Sequence, residues 1–282
     1  MVEVSHAKLS QRQAALHLEL MHMQVRQAWE ESLRQPRYQQ PKRLVRHGHK
    51  IYSQNDEDGI IQEVIRRIGT VPRTFIEFGV QEGLECNSLA LLVDGWRGLW
   101  LEGSDADVRS ISVRFESYLA SGQLKVAHAM VTRDNVNELF QRSEMFGDVG
   151  LLSIDIDSND IWVWKAVTIV QPAVVVIEYN ATWAPPLNVA QPDNPNQVWD
   201  GTTNYFGASL AALEYVSAAK GYNLVGCNFS GANAFFVRSD LCGDLFHMPF
   251  TAAEHYEPAR YWLRYLSAGH VPGIGPLITP KV

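Results

Sequence analysis

Apolar residues along the chain fall into two alternating spacings, one of helices and one of buried strands. Residues 7–34 contain no Gly or Pro and place Leu9, Leu16, Leu20, Met23 and Ala28 near one face, which predicts a long helix. Pro36 and Pro41 end it. Ile60, Ile61, Val64, Ile65 and Ile68 then recur at helical spacing behind the polar cluster of residues 52–59. Ser53 or Asp56 suits the N-cap; Gln54 or Asp58 facing a ligand is the alternative to acids that merely favour the helix dipole. Phe75, Ile76, Phe78 and Val80, interrupted only by Glu77, read as a central parallel strand, because helices cover both faces of such strands and remove the polar alternation. Gly79 and Gly83 follow, with Asn87 or Ser88 as cap of the next helix.

From there strands at 98–102, 124–130, 149–156 and 173–179 alternate with helices at 87–93, 105–120, 135–142 and 161–169. A helix at 209–220 and strands at 222–227 and 233–237 close the pattern as an antiparallel hairpin. The expected fold is α/β and Rossmann-like, a seven-stranded, mostly parallel sheet with an antiparallel C-terminal hairpin and an N-terminal helical extension. Three parts are expected: an extension and connector at 1–50, a cofactor-binding domain at 51–239, and a C-terminal extension at 240–282 with a helix near 258–266. Residues 180–207 carry four prolines, Trp183 and Trp199 without periodicity. A loop of that length directly after a central strand lies over the ligand crevice and reads as a substrate lid.

Composition narrows the function. The net charge of -7 gives no electrostatic case for nucleic acid or membrane as partner and leaves a small molecule or sugar. Cys86, Cys227 and Cys242 form no CxxC pair and leave an odd count, so the expected compartment is the reducing cytoplasm. No apolar run has the length of a membrane span, and no signal peptide is expected. The long helix either wraps its own domain or pairs with another subunit as a homo-oligomer. His6, His17 and His22 lack the spacing of a metal pair.

The chemistry lies in acids that recur at strand ends: Glu77 and Glu82, then Glu102, then Asp155 and Asp157, then Glu178. In such sheets an acid ending the second strand accepts the two ribose hydroxyls of a nucleoside, and Glu102 stands about 20 residues beyond the glycine turn, the expected offset. Glu77, Glu82 and Glu85 surround that turn, where a pyrophosphate would be repelled, whereas S-adenosyl-L-methionine brings a sulfonium and an ammonium and no phosphate.

The run Glu77-Phe-Gly-Val-Gln-Glu-Gly83 resembles motif I of class I S-adenosylmethionine-dependent methyltransferases. Ser53-Gln54 with Glu57-Asp58, Gly95-Trp-Arg-Gly-Leu-Trp-Leu-Glu-Gly103 and Leu152-Ser-Ile-Asp-Ile-Asp157 resemble the FkbM-like branch, over residues 52–238. Gln81 departs from the pattern, which often has glycine there. The resemblance implies a methyltransferase fold in which Glu77, Gly79 and Gly83 contact the methionine part of the cofactor and Glu102 the ribose. It places Thr132 and Asp134 near the adenine, Asp155 on the methionine side, and Gln54 reaching the same pocket.

Methyl transfer to a hydroxyl needs alignment and a base for the departing proton. Asp155, Asp157, Asp160 and Glu178 converge if the sheet reading holds; Asp155, Asp157 and Glu178 are the catalytic candidates. The same three serve as oxygen ligands for Mg²⁺ or another divalent cation. Asp157 or Asp160 capping the helix near Ile161 is the plainer reading for one of them. Asn180, Trp199, Asp200, Asn204 and Tyr205 are the acceptor candidates, with loop packing as the alternative, and His247, His255 or His270 is a further candidate base. Cys86 reads as packing. A non-catalytic binding or assembly module and an NAD-dependent oxidoreductase are the competing functions.

Overall fold

The computed structural model describes residues 2–197, 199, 201–263, 273 and 275–282, with side chains from residue 12 onward, Tyr261 apart. Among these, seven strands form one sheet in the order β3-β2-β1-β4-β5-β7-β6: β1 Thr74–Phe78, β2 Arg97–Glu102, β3 Leu124–His128, β4 Gly147–Ile154, β5 Val170–Glu178, β6 Tyr222–Cys227 and β7 Asn233–Arg238. The first five pair in parallel; β7 runs antiparallel to both β5 and β6. This is the Rossmann-like methyltransferase topology, as the alternating pattern predicts. Because β1 has β2 and β4 as its two neighbours, the chain reverses direction across the sheet there, and a crevice opens beyond the strands' carboxyl ends.

Alternate residues of each strand feed two cores. Ile76, Phe78, Leu152, Ile154, Val175 and Ile177 face the helices α6 Val136–Arg142, α7 Asp160–Ala166 and α8 Leu210–Ala219. Phe75, Trp100, Leu151, Val174 and Val176 face α2 Glu57–Ile68, α3 Leu89–Val93 and α4 Asp105–Arg114. Each such fully buried side chain contributes about 1.5–3 kcal/mol, enough to hold the strand ends rigidly under the crevice. The predicted helix at 105–120 is broken at Phe115, where α5 Glu116–Ala120 begins.

The N-terminal helix, α1 Val2–Leu33, forms as expected, but its packing face differs. Leu16, Leu20 and Met23 are exposed, while Trp29 and Leu33 pack against Tyr38, Val45 and Phe229. Leu9 and His6 lie outside the described side chains. The flanking segments are tied to each other: the Tyr38 hydroxyl donates to Glu257 at 2.7 Å, and Arg260 lies over the Phe229 ring at 3.8 Å. Of the predicted helix at 258–266, residues 258–260 are not helical and Tyr261–Leu263 form a 3-10 turn; residues 264–266 lie outside the described residues, as does His270. Among the described residues no helix is long and apolar enough to cross a membrane.

Candidate active site

The crevice is a cavity of about 740 Å³ above the ends of β1, β2, β4 and β5. On the β1–β2 side the turn after β1 holds three left-handed residues, Gly79 (φ 70°), Gln81 (φ 50°) and Gly83 (φ 75°). Gln81 therefore takes the backbone shape that glycine takes at little cost. Its N–H donates to Glu102 Oε2 at 2.7 Å, and Ser104 N–H donates to Oε1 at 2.8 Å. Each oxygen keeps a further lone pair on a carboxylate that lines the cavity.

Glu77 is almost fully buried, and its carboxylate accepts the N–H groups of Asn87 and Ser88, both at 2.8 Å, and the Ser88 hydroxyl at 2.5 Å. Trp100 Nε1 donates to that same hydroxyl at 2.8 Å. Burial raises Glu77 above the usual carboxylate range, against the pull of those hydrogen bonds. The expected caps Asn87 and Ser88 are thus themselves capped by the strand. Glu82 turns to Arg114 (3.1 Å) and Glu85 to Lys50 (2.9 Å), so the expected repulsion of a pyrophosphate by three free carboxylates is corrected: two are paired with cations.

Gly79 lines the cavity, and a Cβ there would collide with the carbonyl oxygen of Asp155. Gly83 does not line it; a Cβ would strike Trp100, so this glycine serves packing. Gln54 lines the cavity as expected, whereas Asp58 does not. Asp58 accepts the N–H groups of Ile51, Tyr52 and Ser53, each at 2.7 Å, and so shapes the segment that carries Gln54. Thr132 and Asp134 are also absent from the lining, which at this strand end consists of Ala129, Met130 and Val131. The Thr132 N–H donates to Asn135, and Asp134 pairs with Arg133 at the surface.

On the β4–β5 side the structure brings together the three predicted acids. Asp155, Asp157 and Glu178 offer oxygens that all lie within 4.8 Å of one another. Ligand oxygens sit about 2.0–2.6 Å from Mg²⁺ or Ca²⁺, so two on one ion are at most about 4–5 Å apart; the spacing fits a hard cation. Among the described residues no cationic side chain pairs with any of the three. Burial first, then the charge of Asp157, pushes Asp155 well above the carboxylate range; burial and then Asp155 does the same to Glu178. Asp157 is raised by burial and held at φ 60°. Asp160 is the acid that serves the local backbone, accepting from Ile156 (2.9 Å) and Ser158 (3.1 Å), and burial pushes it up to about 7.

Of the acceptor candidates, Trp199 lines the cavity with Gln197 and Phe206. Asn180, Asn204 and Tyr205 do not. Asn180 is fully buried and donates to the Asn204 and Phe206 carbonyls, both at 2.8 Å, Asn204 accepts from Gly273, and the Tyr205 hydroxyl donates to Pro276. They fasten the loop rather than face a ligand. Asp200 lies outside the described residues. His247 and His255 stand away from the lining; His255 is buried, which lowers it to about 3, and neither is placed to act as base. Cys86 lines the cavity, but burial raises its thiol well above the usual value, which removes the thiolate.

Sequence reasoning missed the wall built by the turn between β6 and β7. Ser230, Gly231, Ala232 and Asn233 line the cavity with Arg260 behind them. The Asn-Phe-Ser-Gly-Ala-Asn run at 228–233 was the available signal, but only the register of β7 on β5 sets Asn233 opposite Glu178.

No protein-family model matches the sequence, and a comparison with curated proteins finds no match. Solved structures do resemble it. An O-methyltransferase from Bacillus cereus in complex with SAH is 14% identical, with a TM-score of 0.42 over 77% of this chain and 88% of that one. TomG, an O-methyltransferase from Streptomyces achromogenes involved in tomaymycin synthesis, in complex with SAM, is 16% identical, with a TM-score of 0.41 over 66% of this chain and 80% of that one.

Proposed function

We propose that the protein is an S-adenosylmethionine-dependent methyltransferase that methylates a hydroxyl of a sugar or other small polar metabolite, with a divalent cation held by Asp155, Asp157 and Glu178. One observation carries the choice of cofactor. The N–H groups of Asn87 and Ser88, where a dinucleotide would seat its pyrophosphate, are already taken by the Glu77 carboxylate. A nucleoside cofactor without phosphates suits such a turn. Glu102, fixed by two backbone N–H groups, receives the ribose hydroxyls, and Gln54, Gly79 and Asp155 border the methionine end.

S-adenosylmethionine supplies an electrophilic methyl group, and a divalent cation supplies an oxygen-seeking centre for an acceptor hydroxyl. The chain's own residues align and deprotonate. Asp155, Asp157 and Glu178 would hold the acceptor hydroxyl in line with the methyl group through the cation, and a cluster carboxylate oxygen not engaged by the cation would take the hydroxyl proton. Trp199 and Gln197 offer an aromatic face and an amide, which suit a carbohydrate-like acceptor.

Calorimetry with S-adenosylmethionine and S-adenosylhomocysteine tests the reading. Micromolar binding, weakened by Glu102→Ala about tenfold or more, supports it. If neither binds and NADH does, the protein is a dinucleotide enzyme instead.

A further inference from the structure

Asn233 is 4% exposed and stands opposite Glu178 in the antiparallel register of β7 on β5. The neighbouring pair, Tyr179 and Ala232, is joined by the Tyr179 N–H donating to the Ala232 carbonyl at 2.9 Å. Glu178 and Asn233 are therefore a non-hydrogen-bonded pair, the kind whose side chains stand closest, with Cβ atoms about 4.5–5.5 Å apart on one face. Both line the cavity.

The carboxamide is not free to turn. Its Nδ2 donates to Glu57 Oε1 at 3.0 Å, and Glu57, fully buried, also accepts Asn228 Nδ2 at 2.7 Å and the Asn55 N–H at 2.8 Å. A carboxylate with these partners accepts only, so it fixes the NH₂ end of Asn233 toward itself. Asn228 Oδ1 in turn accepts the N–H groups of Ala232 (3.0 Å) and Asn233 (2.9 Å), which anchors the backbone of the turn. Asn233 Oδ1 is left turned away from Glu57, buried, and without a donor. A buried amide oxygen in that state has lost its water without compensation unless a partner arrives. Less than 1 Å² of it is open to water, which bars a hydroxyl but not a bare cation seated among the neighbouring carboxylates.

We infer that Asn233 supplies a fourth, neutral oxygen to the cation site of Asp155, Asp157 and Glu178, and that Glu57 is the positioning residue that turns it there. The inference rests on the cation reading given above. It explains why a charged residue from α2 is buried against the β6–β7 turn, a contact that the methyl-donor side of the cavity does not require.

The test is Mn²⁺ binding to the full chain, followed by the paramagnetic resonance of free Mn²⁺, beside calorimetric titration with S-adenosylhomocysteine. The wild type binds Mn²⁺. Asn233→Ala and Asn233→Leu bind it about tenfold or more weakly, keep their S-adenosylhomocysteine affinity within about twofold, and release the same number of protons on binding, because an amide carries none. Asp157→Asn, by contrast, changes both affinity and proton release. Should both Asn233 variants bind Mn²⁺ like the wild type while Asp157→Asn does not, the fourth-ligand inference is wrong and the acid cluster stands alone. Should the wild type bind no Mn²⁺, the cation reading and this inference fall together, while the S-adenosylhomocysteine titration still reports on the methyl donor.

Discussion

The backbone N–H of Gln81 donates to Glu102 at 2.7 Å, tying the turn after the first strand to the end of the second. That link depends on the backbone at position 81, not on its amide side chain. Gln81→Gly, which adopts φ 50° freely, is expected to hold S-adenosylhomocysteine within about twofold of the wild type. Gln81→Pro removes the donor and forces a negative φ, and is expected to lose binding by an order of magnitude or more. Calorimetry on the two variants checks both expectations.

Asp160 supplies a pH dependence whose sign follows from its environment. Its ordinary value of 3.8 is raised to about 7 by burial in the fold. Between those values the native state holds the proton and the unfolded chain does not, so stability is full below about pH 4 and is lost as pH rises toward 7. A rise from 3.8 to about 7 corresponds to an effect of order 4 kcal/mol. Asp56, raised by burial and by Glu57, acts in the same direction. Thermal unfolding between pH 4 and 8 is expected to show a shallower decline for Asp160→Asn than for the wild type; parallel curves would refute the assignment.

Trp199 lines the cavity from the loop after β5, and the proposed acceptor role can be tested apart from the cofactor. It donates to the Thr203 carbonyl at 2.7 Å, packs against Phe206 with ring centroids 4.8 Å apart, and faces the cavity from the loop rather than from the β1 turn. Trp199→Ala is expected to raise the acceptor KM about tenfold and to leave S-adenosylhomocysteine affinity unchanged. Initial-rate kinetics with a panel of sugar acceptors measures the first, and a loss of cofactor affinity in the same variant would place the residue on the donor side.

Asn180 fastens the loop that follows β5. With no exposed surface and two carbonyls to satisfy, its replacement by Leu leaves the Asn204 and Phe206 oxygens without a donor. A loss of about 2–4 kcal/mol is expected in urea unfolding. Asn204→Ala removes a peripheral contact and is expected to cost less than 1 kcal/mol.

The sheet was legible because its strands are near-continuous apolar runs: Val174 to Ile177 can hardly be anything but a central strand, and every strand lies within a few residues of its expected place. The acids at the strand ends were legible for the same reason, since a strand's end fixes where its last side chain goes. Side-chain direction was not. Asn180 and Tyr205 have the chemistry of carbohydrate contacts, but the carbonyls of their own loop claim them first. Thr132 and Asp134 failed because β3 ends at His128 and the chain leaves the crevice after Val131. Asn233 was invisible for a different reason: its importance comes from a pairing with Glu178, 55 positions earlier, that only the register of an antiparallel strand creates.

Gly79 has a wider consequence. Because it lacks a side chain, the carbonyl of Asp155 can rest directly against the turn that borders the methyl-donor side. The turn after β1 and the end of β4 thus form one continuous wall of the cavity, and a side chain added at position 79 would push them apart. Attempts to evolve a new acceptor preference are best confined to Gln197 and Trp199, which line the cavity from the loop after β5 rather than from that wall.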